Sequence, residues 1–218
     1  MAGGLQFGWL ADHGPALLHG SATTLLLVAI VLPFGLALGI LGAVAPPGWR
    51  RRAVVAYVEA IRNTPFIVQL FFVFFGLPSL GVRLDGFTAA VLAMTVNMGA
   101  FATEMVRAGL SAVQPGQREA GQALGLRRGT VFRRVVLPQA LRAVFPALAS
   151  QAVITLLESA VVSQIAVRDL TYEADLIQST TFRSFETYAV VAVVYLLFSV
   201  LLRRGFGLAG HRVFGRTA

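Results

Sequence analysis

Ser21-Ala22-Thr23-Thr24-Leu25-Leu26-Leu27-Val28-Ala29-Ile30-Val31-Leu32-Pro33-Phe34-Gly35-Leu36-Ala37-Leu38-Gly39-Ile40-Leu41-Gly42 is a run of 22 residues without a charged side chain. As a helix rising about 1.5 Å per residue, it crosses roughly 30 Å of hydrocarbon. The run ends in Pro46-Pro47-Gly48-Trp49 and then Arg50-Arg51-Arg52, which reads as a turn at head-group depth followed by a basic anchor. The rest of the chain has the same character. Of its 218 residues 56% are hydrophobic and 13% charged, with a mean hydropathy of +0.74, against about 25% charged in a soluble domain. An integral membrane protein is expected.

Working outward, a second span is predicted within Ala53 to Pro78, broken at Asn63-Thr64-Pro65 because proline removes a backbone donor and disfavours helix in the residue before it. Span three is expected at Phe87 to Leu110, span four at Ala143 to Ile165 and span five at Thr187 to Leu202. Between spans three and four lies the longest polar connection, residues 111–142, while 166–186 reads as a short loop. One transmembrane domain covering residues 1–218 follows. All 18 basic residues are Arg, and the expected inside segments (50–52, 111–142, 203–218) hold 13 of them against three in 1–20, 79–86 and 166–186. By the positive-inside rule the N-terminus is outside and the C-terminus inside. Smaller features have local readings. Gly35 and Gly39 suit helix packing, Thr23 and Thr24 bond back to their own helix, and Glu59 pairs with Arg62 three residues on.

The same composition excludes several functions. No Lys is present, so neither a P-loop nor a Schiff-base lysine can be built. There is no Cys, and His13, His19 and His211 lack a second His at ligand spacing, so no metal site is expected. A net charge of +8 in a soluble protein suggests nucleic acid, but here the arginines cluster at the ends of apolar runs. A lipid bilayer is the expected partner and nucleic acid is not.

Residues 119–138 read Glu119-Ala120-Gly121-Gln122-Ala123-Leu124-Gly125-Leu126-Arg127-Arg128-Gly129-Thr130-Val131-Phe132-Arg133-Arg134-Val135-Val136-Leu137-Pro138. Gln117 to Leu124 suits a short helix closed by a left-handed Gly125, and a second helix can start near Arg128. The segment resembles the EAA pattern of bacterial ABC importer permeases: Glu-Ala-Ala, three residues, Gly, nine residues, Ile, one residue, Leu-Pro. Gly121 stands for the second Ala and Val135 for the Ile. The stretches Arg62-Asn63-Thr64-Pro65-Phe66-Ile67-Val68-Gln69 and Asn97, Ala100-Phe101, Glu104, Val106-Arg107, Gly109 are similar to the polar amino-acid (His/Glu/Gln/Arg/opine) branch of that family.

The resemblance implies an all-α polytopic protein of the type I ABC importer permease fold, with five transmembrane helices and residues 111–142 as a cytoplasmic coupling loop. Glu119, Ala120, Gly121, Gly125, Val135, Leu137 and Pro138 then serve ATPase coupling. It also implies a multi-pass protein of the bacterial inner membrane that is not itself an enzyme and carries no cofactor. ATP and Mg would sit on two cytoplasmic ATP-binding subunits, beside a second permease subunit, identical or paralogous, and an extracytoplasmic solute-binding protein. Polar amino acids are the implied substrate.

For the solute, helix rise places Asn97 and Glu158 within roughly 6 Å of the midplane and Glu104 about two turns further in, on the face of Asn97. These three are the candidate substrate-binding residues. Related permeases commonly read Leu-Leu-Lys-Asp-Ser-Ala before Val162-Ser163, and alignment sets Leu157 against the Lys, so the acid is kept at Glu158 and the cation is lost. Either this subunit is the non-binding half of a pair or its solute is cationic. Two other classes are open: a secondary, proton-coupled transporter using the intramembrane carboxylates, and a membrane-embedded enzyme using them as acid and base.

Overall fold

The computed structural model describes residues 7–215, which contain helices and no strand. The ends of the predicted outer segment (1–6) and inner tail (216–218) lie outside the described residues. Helix α1 runs over Trp9–Ala43, 35 residues, so it begins well before the predicted span. Tertiary packing explains the extension. Trp9 and Leu17, both ahead of the Ser21–Gly42 run, bury in an apolar cluster with Leu170, Ala174, Ile177, Val191 and Tyr195.

Helix α2, Trp49–Arg62, and helix α3, Phe66–Phe71, meet at the predicted break. Pro65 sits extended there, at φ −57° and ψ 139°. The axis through α2 and the axis of the segment after it, Phe66–Leu80, differ by 111°. Side chains close the end of α2: Thr64 Oγ1 donates at 2.7 Å to Ala60 O, which the break leaves without a backbone donor, and Asn63 Nδ2 adds a second bond at 2.8 Å to Glu59 O. After α3 the chain makes a π-helical turn, Phe72–Gly76, and a 3₁₀ turn, Leu77–Leu80.

Helix α4, Gly86–Ala112, is the central element and follows the predicted third span closely. Asp85 caps it, its carboxylate accepting from Thr88 N at 3.1 Å and Thr88 Oγ1 at 2.6 Å; these bonds hold its pKa below the usual carboxylate value. Helix α1 approaches α4 so closely at two of its glycines that neither position has room for a side chain. A Cβ on Gly35 would stand 2.5 Å from Met98 Cγ, and one on Gly39 would stand 2.4 Å from Ala102 Cβ. The small-residue pair therefore packs helices within the chain.

Helices α5, Pro115–Ala123, and α6, Arg128–Val131, form a hairpin at the end of α4. The chain continues through a π-helical turn, Phe132–Val136, into α7, Leu137–Glu158, and a 3₁₀ segment, Ser159–Ile165. The fourth span is thus one helical run, Arg128–Ile165, rather than a helix entering at Ala143. Pro138 does not stop it. Both π turns end just before a Leu-Pro pair, Leu77-Pro78 and Leu137-Pro138. Proline cannot donate to the carbonyl four residues back and its ring pushes that carbonyl away, and one wider turn accommodates both effects.

The predicted 166–186 loop contains helix α8, Leu170–Thr181, which packs against α1; helix α9, Ser184–Phe214, extends the fifth span in both directions. Thr23 Oγ1 donates to His19 O as expected, but Thr24 Oγ1 accepts from Leu170 N at 3.2 Å and ties α1 to α8. Among the described residues four helices are long and apolar enough to cross a membrane, and the bent pair Trp49–Arg62 and Phe66–Leu80 brings the number to five when it is counted as one span.

Candidate functional site

Of the residues assigned to coupling, Glu119, Ala120, Gly121 and Gly125 lie in the α5–α6 hairpin, while Val135 lies in the π turn after it and Leu137 and Pro138 open α7. Pro115 opens α5 at a position where its missing N–H is not needed. The helix closes on Gly125 at φ +75°, with Leu126 N donating to Gly121 O at 3.2 Å and Gly125 N to Gln122 O at 2.9 Å. This is a Schellman closure, whose left-handed residue favours glycine. At the hairpin tip Leu124 is 80% and Leu126 40% exposed, so an apolar edge is turned outward. Inside the hairpin Gly121 lies against Val131: a Cβ at 121 would stand 2.9 and 3.0 Å from the two Val131 methyl carbons. The Gly in place of Ala therefore makes room for a branched residue across the hairpin. Val131 and Val136 are buried, Val135 and Leu137 half-buried, and Glu119, Ala120 and Pro138 exposed. Gln139 Nε2, at the start of α7, reaches Gln117 Oε1 at 3.4 Å and links the hairpin to the fourth span.

A second group of polar residues surrounds the elbow between α2 and α3. Gln69 Nε2 donates to both Ile61 O and Thr64 O, each at 2.8 Å, so one amide stitches across the break. Its Oε1 accepts from Asn97 Nδ2 at 3.1 Å, which fastens the elbow to α4. Asn97 is buried and its Oδ1 has no partner. Two turns along α4, Glu104 forms an ion pair with Arg62, the last residue of α2, and not with a neighbour on its own helix. The Arg62 guanidinium also lies 5.5 Å from the centre of the Phe101 ring. Arg62 had been paired with Glu59 on sequence spacing, but the elbow turns it toward α4. A cavity of about 420 Å³ sits in the bend, lined by Ala60, Ile61, Thr64, Gln69, Ala93 and Val96 among others.

Glu158 ends α7 and is half-buried, with Leu157 beside it 49% exposed. No hydrogen bond or ion pair joins Asn97, Glu104 and Glu158 to one another among the described residues. Gln69 and Arg62 are the partners that spacing alone did not supply. The available signal for Gln69 was its being the one polar residue in the apolar run Phe66 to Leu77.

At the end of the bundle away from the hairpin, Asp169 caps α8 and is fully buried. One carboxylate oxygen accepts from Tyr172 N at 2.9 Å and the other from Tyr195 Oη at 3.2 Å. Burial pushes its pKa up to about 6, against the lowering effect of these hydrogen bonds. Beside it Arg168 makes a two-armed contact with the buried Glu173, at 2.8 and 3.3 Å. No group of His, Asp and Glu suited to a metal occurs among the described residues.

The family described as binding-protein-dependent transport system inner membrane component matches residues 35–214. The glutamine transport system permease protein GlnP of Escherichia coli (strain K12) is 37% identical over 205 residues, covering 91% of this chain and 94% of that protein. The probable glutamine ABC transporter permease protein GlnM of Bacillus subtilis (strain 168) is 37% identical over 210 residues, covering 94% and 96%. A crystal structure of an amino acid ABC transporter with histidines superposes with a TM-score of 0.85 at 34% identity, over 95% of this chain and 99% of that one. With the family match running through four of the five spans entire and into the first, and with relatives 37% identical along nearly their whole lengths, this chain belongs to the binding-protein-dependent transport system inner membrane components.

Proposed function

We propose that this chain is the transmembrane permease subunit of an ATP-driven importer of polar amino acids or related solutes. The observation that carries the reading is the family match over 35–214, within which the α5–α6 hairpin falls with its exposed apolar tip. ATP hydrolysis belongs to two separate cytoplasmic subunits, which hold ATP and Mg and receive the hairpin. A second permease subunit, identical or paralogous, completes the path, and an extracytoplasmic binding protein delivers the solute. The Arg distribution supports an inner-membrane orientation with the N-terminus outside and the hairpin and C-terminus in the cytoplasm. The proton-coupled alternative draws no support from the relatives, which are named as transport-system and ABC permeases.

Asn97, Glu104 and Glu158 are proposed to contribute to the solute site. The relatives named for glutamine favour a zwitterionic solute, whose carboxylate needs a cation that Leu157 cannot give. Arg62 answers that need. It is 40% exposed and already paired with Glu104, so a zwitterion can enter the pair with its carboxylate on Arg62 and its ammonium on Glu104. Uptake by the native assembly carrying Glu104→Gln or Glu158→Gln tests this. A rise in half-saturating solute concentration is expected from each, and unchanged uptake and affinity in both would remove the carboxylates from the site.

A further inference from the structure

The ends of α1, α2 and α4 nearest the hairpin enclose, with α5, a cavity of about 560 Å³ that the transport reading leaves unused. Its lining carries three guanidinium groups from three helices: Arg51 of α2, Arg107 of α4 and Arg118 of α5. Glu119 is the one acidic residue in that lining, so two positive charges are left over. Arg118 spends part of its donor capacity on Leu110 O, at 3.4 Å. The side chains of Arg51 and Arg107 have no hydrogen-bond or ion-pair partner among the described residues. Helix α5 also begins there without a side-chain cap, so its first turn adds positive potential.

Charges of one sign converge on a concave site when an anion joins them, and guanidinium forks match phosphoryl oxygens. The depth of the cavity identifies the carrier. It lies where α1 ends and α2 begins, and the first residue of α2, Trp49, is 74% exposed and stacked under Arg50 at 5.6 Å, an arrangement typical of the membrane interface. Apolar Ala43, Ala45, Leu110 and Val113 line the same space. We propose that this cavity is a binding site for a phosphoryl group, supplied at this depth by an anionic phospholipid. The three arginines hold the phosphate, and Glu119 and Ser111 accept hydroxyls of a glycerol head group. Basic pockets between spans are suited to such head groups, each basic residue contributing about a fivefold gain in affinity. The site adjoins Glu119, so an occupied cavity would set the seating of the α5–α6 hairpin on the spans.

The test uses the full-length chain in detergent micelles, titrated with phosphatidylglycerol and phosphatidylcholine of equal chain length, with bound lipid counted by native mass spectrometry. The expected result is one phosphatidylglycerol held in preference to phosphatidylcholine. Arg51→Gln, Arg107→Gln and Arg118→Gln together should weaken it on the order of a hundredfold. A charge-matched control, Arg203→Gln, Arg204→Gln and Arg212→Gln on α9, should stay within about twofold, since none of the three lines the cavity. Arg51→Gln alone, at an exposed and unpaired side chain, covers the case in which the triple variant does not fold and should weaken binding about fivefold. Equal retention of both lipids, or equal losses in the cavity and control variants, would overturn the site. Displacement of the lipid by millimolar inorganic phosphate would overturn the lipid as its source and make a free phosphate the ligand.

Discussion

Gln69→Leu keeps the volume of the side chain and removes its two polar ends, and the structure states what is lost. Three hydrogen bonds disappear: those to Ile61 O and Thr64 O at 2.8 Å, and that from Asn97 Nδ2 at 3.1 Å. Polar bonds between membrane helices average about 0.6 kcal/mol and reach about 1.7, so three together contribute roughly 2 to 5 kcal/mol. The upper half of that range is favoured, because Asn97 Oδ1 has no partner already and its whole amide would be left unpaired in a buried place. Asn97→Leu in the Gln69→Leu background should then cost less than it does alone, with a coupling energy of about 1 kcal/mol in a double-mutant cycle. Reversible unfolding in mixed micelles measures all four chains. A Gln69→Leu chain as stable as the parent, or additive effects of the two substitutions, would refute the claim that one amide fastens the elbow to α4.

Three further outcomes are expected. Gly121→Ala places a Cβ 2.9 Å from a Val131 methyl and should lower solute-stimulated ATP hydrolysis in the assembled importer, with Val131→Ala restoring it; failure of the second change to rescue would point away from hairpin packing. Gly125→Val, at φ +75° with nothing within 4 Å of the added carbon, should cost about 1 kcal/mol through backbone conformation alone, leaving insertion intact and weakening coupling, whereas Gly125→Asn should be mild. Both variants behaving alike in that hydrolysis assay would count against it. At Asp169 the folded-state pKa, raised to about 6 from 3.8, means the folded chain holds the proton more tightly than the unfolded one. Its contribution is therefore greatest below the unfolded value and is lost as pH rises through that window, by at most about 3 kcal/mol. Asp169→Asn keeps an oxygen to cap Tyr172 N and should flatten the change of melting temperature between about pH 4 and 7; an unchanged profile would assign that dependence elsewhere.

The membrane class and the five spans were legible because a charge-free run at helical rise has one use, and the Asn63-Thr64-Pro65 break because proline forbids the bond a straight helix needs there. The Schellman closure at Gly125 was legible for a similar local reason. What escaped depends on contacts between distant segments. Helix α8 looked like a loop because its polar residues outnumber its apolar ones, yet Leu170, Ala174 and Ile177 find α1, and Thr24 meets the backbone of Leu170, 146 residues away. Arg62 was assigned to Glu59 because three-residue spacing is visible in a sequence and a 111° bend is not. The π turns are not legible because a Leu-Pro pair shows in sequence that one helical hydrogen bond is lost, but not that a single wider turn absorbs the loss and lets the helix continue. Of the candidate solute residues, helix periodicity set Asn97 and Glu104 on one face of span three, but did not show that Asn97 meets Gln69 and Glu104 meets Arg62.

Transport by the purified assembly tests the central claim most directly. The chain is reconstituted into proteoliposomes with its ATP-binding subunits, its partner permease and its binding protein, and uptake of labelled glutamine and arginine is followed beside ATP hydrolysis. The account predicts uptake that requires ATP and the binding protein together, and hydrolysis that rises when loaded binding protein is added. Uptake by this chain alone, driven by a proton gradient and indifferent to ATP, would contradict it.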